Sequence, residues 1–309
     1  MTTPEVVCIG IATLDAIALV DRLPAPGERM PAVEVRLAGG GVAATAAVTL
    51  ARLGVPVAFI GRVGDDEAGR WIRSGLADAG VDVGGLRTVA GRSPASVVLV
   101  DAEGGERSLI PDVRGVPPIT LTDADIERCA GTRYVHVDQT GYPVVRRLRD
   151  AGNASAISLD GGNFVHELRL DTIDLYAPTE RALLARYPGV SLVEALGLAI
   201  DEGPSRVVAT RGSRGAAAIE RLPDRSSRMA GVAAFEVPVM STLGAGDVFH
   251  GALLAALLDG QPIDDALRFA NAAAGLSCRA LDGRSGIPSR REVERLIASS
   301  ALKPEPSRA

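Results

Sequence analysis

The segment best suited to chemistry is Ser241-Thr242-Leu243-Gly244-Ala245-Gly246-Asp247-Val248-Phe249. Its two glycines let the backbone close around an anion. The apolar run that follows predicts a helix whose first N–H groups and positive dipole end face the same point. Gly244, Ala245 and Gly246 therefore predict a cradle for a phosphate or an oxyanion. Asp247 falls in the first helical turn beside that cradle, where a carboxylate can accept the proton of a substrate hydroxyl during phosphoryl transfer. Asp is also a common helix cap, so the tetrapeptide alone leaves both uses open.

Composition narrows the chemistry. Lys303, near the C-terminus, is the only lysine in the 309 residues, whereas a Walker A loop or a protein-kinase site needs an internal lysine on the phosphates. A net charge of −5 offers no basic footprint for nucleic acid. Cys8, Cys129 and Cys278 are odd in number and widely spaced, which suits buried thiols in a reducing cytoplasm better than a disulfide framework or a zinc site. There is no basic-then-apolar leader and no long uninterrupted apolar run, so a soluble cytoplasmic protein without membrane contact is expected.

The elements that must position the cradle are read from periodicity. Val6 to Gly10 is a short apolar strand ending in Gly, followed by a loop that ends in Asp15. Residues 28–37 and 95–110 alternate in places between apolar and polar, predicting a small half-exposed sheet outside the main layer. Helices are expected at Val42–Leu53, Ala68–Ala79, Pro143–Ala151, Glu180–Tyr187, Leu192–Glu202, Ala245–Leu258, Ile263–Ala280 and Arg290–Ser299. Strands are expected at Val57–Ile60, Tyr134–Val137, Ala156–Leu159, Val207–Thr210 and Phe235–Val239. This alternation predicts a mostly parallel sheet with helices on both faces. The hydrophobic fraction is 47% with only 3% aromatic residues, so the core should be aliphatic layers.

Two motifs about two hundred residues apart, in this order, resemble the signatures of the ribokinase-like (PfkB) carbohydrate kinases. The first is Gly40-Gly41-Val42-Ala43-Ala44-Thr45, continuing to Ala51-Arg52-Leu53-Gly54. The second is the Gly244–Asp247 run. The likeness extends over about residues 5 to 295. It includes Gly10 to Asp15, Leu23 to Glu28, Gly61 to Asp66, Gly80-Val81-Asp82, Thr210 to Gly215, Phe269 to Ala274 and Ile287-Pro288-Ser289.

The resemblance implies an α/β fold: three layers, α/β/α, with a mostly parallel central sheet and a small β-sheet lid. One kinase domain is expected over residues 1–302, with lid segments at about 14–38 and 92–115 and a polar tail at 303–309. It implies ATP and Mg2+, a sugar-like substrate, and a homodimer formed through the lid. Asp247 would be the base, with the amides of Gly244, Ala245 and Gly246 as the anion hole. Asp15, Gly40, Gly41, Thr45 and Asp138 would surround substrate hydroxyls. Thr210, Gly212, Gly215 and Asn271 would surround ATP, and Glu180 would act on magnesium through water.

Some positions differ from the family pattern. Thr45 stands where the family carries a substrate-contacting Asn, Ala177 replaces the Asn of Asn-x-x-Glu, and Ser241 replaces the first Asp of the second signature. In ribokinase that Asp helps hold an activating potassium ion, so Ser241 argues against strong monovalent-cation dependence. Within the family, Gly39–Ala47, Gly246–Leu253 and Gly283–Pro288 look most like bacterial sulfofructose kinases, yet Ile110-Pro111-Asp112 and Asp138-Gln139-Thr140 bring no Arg or Asn to read a sulfonate. A neutral ketose or polyol is therefore the expected acceptor. A nucleoside kinase of the same fold, a sulfofructose kinase and a nonenzymatic sugar or nucleotide sensor stand as alternatives. His250, one helical turn after Asp247, reads as a packed histidine before a residue supporting the site, and Arg36, Arg107 and Arg114, on or beside the lid, as surface residues before donors that meet an anionic substrate when the lid folds inward.

Overall fold

The computed structural model describes residues 3–105 and 107–301; Lys303 and the expected tail at 303–309 lie outside them. In chain order the strands are β1 (Val6–Ile9), β2 (Thr13–Val20), β3 (Glu34–Gly40), β4 (Val57–Gly64), β5 (Asp82–Val89), β6 (Ala95–Asp101) and β7 (Arg107–Asp112). They continue with β8 (Tyr134–Val137), β9 (Ala156–Asp160), β10 (Leu175–Ala177), β11 (Arg206–Thr210), β12 (Ala216–Arg221) and β13 (Ser227–Val232). The helices are α1 (Val42–Arg52), α2 (Glu67–Asp78), α3 (Asp123–Cys129), α4 (Val145–Asp150), α5 (Glu180–Arg186), α6 (Leu192–Asp201), α7 (Ala245–Leu258), α8 (Ile263–Ser277) and α9 (Arg290–Ala301).

Nine strands form the main sheet in the order β13-β12-β11-β10-β9-β8-β1-β4-β5. Pairing is parallel from β5 through to β11, and β12 and β13 close the other edge antiparallel. β1 is apolar throughout because both its faces are covered. Val6 and Cys8 join the core beneath α1, α7 and α8, while Val7 and Ile9 join the core beneath α4 and α6. In α1 every residue from Ala43 to Leu50 is buried. Alanines there let the helix lie close to α7, which is itself buried from Val248 to Leu258.

All the parallel strands point the same way, so the residues at or just beyond their carboxyl ends gather at one edge: Gly10, Asp138, Asp160, Glu180 and Thr210. The carboxyl ends of such a sheet are where open α/β folds bind ligands. A second sheet, β3-β2-β6-β7, stands over this edge. Its inner side packs Ile17, Val98 and Val100 against Leu281 and Leu243.

Two expectations are corrected. Asp15 lies inside strand β2 and not in a loop: Thr13, Asp15 and Ile17 share the buried face, and two polar residues facing inward hide the apolar alternation that marks a strand. Phe235–Val239 joins neither sheet. The hairpin β12–β13 already occupies the sheet edge, and residues 234–239 cross in front of it to wall a cavity. No described helix is long and apolar enough to cross a membrane.

Candidate active site

Two cavities meet at the first turn of α7. The larger, about 800 Å³, is walled by Thr210, Gly212 and Gly215 after β11, by Glu180 at the start of α5, by Asn271 of α8, and by Ala245 and Gly246. The smaller, about 220 Å³, is walled by Asp15, Gly40, Gly41, Thr45, Gly244 and Asp247, under Leu109 and Pro111 of β7. Sequence reasoning thus named residues that fall on two sides of a single junction. A 220 Å³ space suits a small acceptor, and an 800 Å³ space lies in the range of cofactor-sized sites.

The junction is built by Gly244, the N-cap of α7, held at φ +75° with its Cα face against Gly283; an added Cβ would lie 2.8 Å from the Gly283 Cα. That left-handed turn brings Ala245 and Gly246 to the larger cavity and Gly244 and Asp247 to the smaller, with the Ala245 N–H donating to the Thr242 carbonyl at 3.3 Å. Ser241 is buried and spends its hydroxyl on the Leu243 N–H at 3.1 Å, closing a turn that brings no carboxylate to this loop.

Asp247 is half-buried at the junction, and no described side chain donates a hydrogen bond to its carboxylate. Burial pushes its carboxyl well above the ordinary range. The charges of Asp160 and Asp138 push in the same direction, while Arg107 and Arg284 pull against them. Asp160, at the end of β9, is buried and 3.1 Å from His250 Nε2. Burial holds His250 near 4 and its neighbour His136 near 3, so both rings are neutral at pH 7. His250, expected as simple packing, is buried and lies in contact with Asp160, the acid whose charge acts most on Asp247.

Asp138 is placed differently from expectation. It does not wall the smaller cavity. Its Oδ2 accepts from the N–H groups of Ile11 (2.8 Å) and Ala43 (3.2 Å), and its Oδ1 from Thr140 N and Oγ1 (2.8 and 2.7 Å) and from Gly141 N (2.9 Å). Its lone pairs are committed to holding the loops after β1 and β8 and the start of α1 together, behind the cavity wall where a contact with substrate hydroxyls was expected. Asp15 is the acid that faces the cavity, with Thr13 Oγ1 donating to it at 2.7 Å. Glu180 borders the large cavity, paired with Arg214 and, at 3.7 Å, with Arg211. Asn271 donates to the carbonyls of Val232 and Ala233 at 3.1 and 3.2 Å, tying β13 to α8 behind the cavity.

Three residues here were not foreseen as part of the site, and a fourth, Arg107, was foreseen only on or beside the lid. Gln139 and Asn163 meet across the acceptor cavity from loops after β8 and β9. Arg107 leaves the small sheet to donate to Thr242 Oγ1 at 2.8 Å, beside the α7 turn. Arg284 reaches Thr45 and Gly40 from the loop after α8. Apart from the lid position already noted for Arg107, nothing in sequence spacing marks them, because each arrives from an element remote in the chain.

The family model described as pfkB family carbohydrate kinase matches residues 3–160 and 166–290, spanning both cavities. The chain belongs to the pfkB family of carbohydrate kinases. It has the ribokinase-like fold, and this kinase superposes on Arabidopsis thaliana ribokinase complexed with ribose and ATP with a TM-score of 0.80. Sequence identity to it is 28%, and 96% of this chain and 99% of that one are covered. It is 28% identical to Bacillus subtilis ribokinase over 299 residues, covering 94% of this chain and 98% of the relative. It is 31% identical to the ATP-dependent ribose-1-phosphate kinase of Halopiger xanaduensis over 292 residues, covering 91% and 93%.

Proposed function

We propose that this kinase phosphorylates a primary hydroxyl of a small neutral ketose or related polyol with ATP, Asp247 acting as general base. The observation that carries the reading is the junction: acceptor and nucleotide cavities meet at the first turn of α7, and the Asp247 carboxylate stands on the acceptor side. There it can take the hydroxyl proton on a carboxylate oxygen. The oxygen attacks the γ-phosphorus, the bond to ADP breaks, and the amides of Gly244 and Gly246 meet the charge that builds up, the Ala245 N–H being held by the Thr242 carbonyl.

Thr210, Gly212, Gly215 and Asn271 would hold ATP in the larger cavity. Magnesium held mainly by phosphates and water would need only one or two carboxylates; Glu180, on the wall of this cavity and paired with Arg214 and Arg211, would act on it through water, and the ion would neutralise phosphate charge. Acids and amides, with no Lys or Arg, wall the acceptor cavity among the described residues, which favours a neutral acceptor over a sulfonate or phosphate because a buried unpaired charge is costly.

A coupled ADP-release assay over neutral sugars, their phosphorylated and sulfonated analogues, and nucleosides tests this reading. Expected is the highest kcat/KM for a neutral ketose or polyol. A clear preference for an anionic sugar returns the assignment to a sulfofructose-type kinase, a preference for a nucleoside to a nucleoside kinase, and binding without ADP release to a sensor. The same assay with sodium replaced by potassium at constant ionic strength should change little, since Ser241 offers no carboxylate to neutralise a bound ion. Strong activation would mean that other groups build such a site.

The small sheet supports a homodimer. Leu37, Ala16, Val97 and Ile110 lie side by side across its four strands, and Leu37, Val97 and Ile110 are exposed on its outer face. Its edges β3 and β7 are unpaired among the described residues. Sedimentation velocity should give a dimer that Leu37→Glu converts to monomer; a monomeric wild type at micromolar concentration ends this idea.

A further inference from the structure

The acceptor cavity is walled by two acids, Asp15 and Asp247, and the cation that answers them stands one layer behind the wall. Arg284 lies in the loop between α8 and α9. Its Nε donates to Thr45 Oγ1 at 3.2 Å and its Nη2 to the Gly40 carbonyl at 2.6 Å. Thr45 belongs to α1 and Gly40 to the end of β3, so one guanidinium ties together two walls of the cavity.

The loop that carries it is itself built for the task. Asp282 Oδ1 accepts from the N–H groups of Arg284 and Ser285 at 2.9 and 2.7 Å. Its Oδ2 accepts from Ser285 Oγ at 2.7 Å and from Arg36 Nη1 of β3 at 2.9 Å. Gly39 completes the seat, because any Cβ at that position would collide with Arg284 Nη1. A planar fork with separate donors suits such a bridge, whereas the single ammonium of lysine does not.

We infer that Arg284 is the positioning residue of the acceptor site: it fixes the Gly40 carbonyl against Thr45 and supplies the positive charge that balances Asp15 and Asp247. The inference rests on the kinase reading above for its catalytic part and on geometry alone for its binding part. Around Arg284 stand Asp15 of β2, Asp247 of α7 and Asp282 of its own loop, which last is also bonded to Arg36. Around Asp247 stand Asp160 with its partner His250, Asp138 after β8, Arg107 of β7, and Arg284. Burial lowers Arg284 to about 10, so it is a cation throughout the range in which Asp247 works. Without that cation the Asp247 carboxyl rises further, and the pH below which activity is lost moves up with it.

Arg284→Gln and Arg284→Lys test the assignment through four readouts: KM for acceptor and for MgATP, kcat against pH, calorimetric acceptor binding without nucleotide, and thermal unfolding. The panel's preferred sugar is the probe. Arg284→Gln should weaken acceptor binding and raise its KM by roughly tenfold or more, the scale of hydrogen bonds to a charged group, with KM for MgATP little changed. Its acidic limb should move to higher pH. Arg284→Lys should lose acceptor affinity while keeping the limb in place, since the charge remains and the bridge does not. Wild-type acceptor affinity in either variant, or an unmoved limb in Arg284→Gln, overturns the inference. Were Arg284→Gln insoluble, acceptor affinity in Arg284→Lys decides alone. A wild type that binds sugar without releasing ADP removes the kinase reading yet still leaves Arg284 to be judged by the calorimetric shift. A wild type that neither binds nor turns over any sugar overturns both.

Discussion

Asp247→Asn is expected to lower kcat by about two to four orders of magnitude, the range for a positioned general base, with KM for MgATP little changed. The amide keeps the shape of the side chain and removes only the proton acceptor. The burial that raises the Asp247 carboxyl also predicts a signature in the wild type. An acid with a raised pKa is a usable base only above that pKa, so kcat should fall on acidification at a pH higher than an ordinary carboxylate would give. Asp247→Asn should abolish that limb.

Stability should move the opposite way. Between the unfolded and the raised folded pKa, the unfolded state releases its proton first, so ionisation of Asp247 costs folding free energy as pH rises through this window. Asp247→Asn should therefore unfold at a temperature equal to or above that of the wild type. Turnover close to wild type in this variant would take the base role from Asp247, and a large fall in unfolding temperature would mean that the lost activity reflects lost structure.

Asp138→Ala should have the largest effect on stability. Five donors from Ile11, Ala43, Thr140 and Gly141 lose their acceptor at once, in a buried setting. Unpaired buried donors cost about 1–3 kcal/mol each before relaxation and water entry. A net loss of about 3–5 kcal/mol, a fall in Tm on the order of 10 °C, is expected. Asp15→Ala is the contrast: it faces the cavity and accepts from Thr13, so acceptor KM should rise with a much smaller fall in Tm. An Asp138→Ala protein with wild-type Tm and weakened acceptor binding would return Asp138 to the acceptor site. Thermal unfolding of both variants, with acceptor titration, separates the two roles.

The contrast between Asp15 and Asp138 marks the boundary of what sequence determined here. Local structure was legible: Gly244 to Asp247 announced a glycine turn opening a helix because glycine geometry and a helix start are encoded in adjacent residues. The run of α1 was legible for the same reason, as were strands β1, β8 and β9, whose burial on both faces leaves a hydrophobic run, unbroken in β1 and interrupted by His136 in β8 and Ser158 in β9. β2 escaped because the face it turns inward carries Thr13 and Asp15, and a strand that offers polar groups to a site loses the alternation by which strands are read.

Tertiary structure alone decided which polar groups face a cavity and which are consumed behind it. Asp15 and Asp138 are both short acids at strand ends or nearby in sequence terms, and only the fold brings five donors to one of them. Arg284 stands 239 residues from Thr45, and no periodicity links positions so far apart. Their meeting follows from α1 packing on α7 and from the loop after α8 closing beneath β3. A sequence records what each residue can do chemically within its own turn or strand. Which partner it meets is set by long-range packing, where charge, burial and hydrogen bonds are shared among elements that the chain keeps apart.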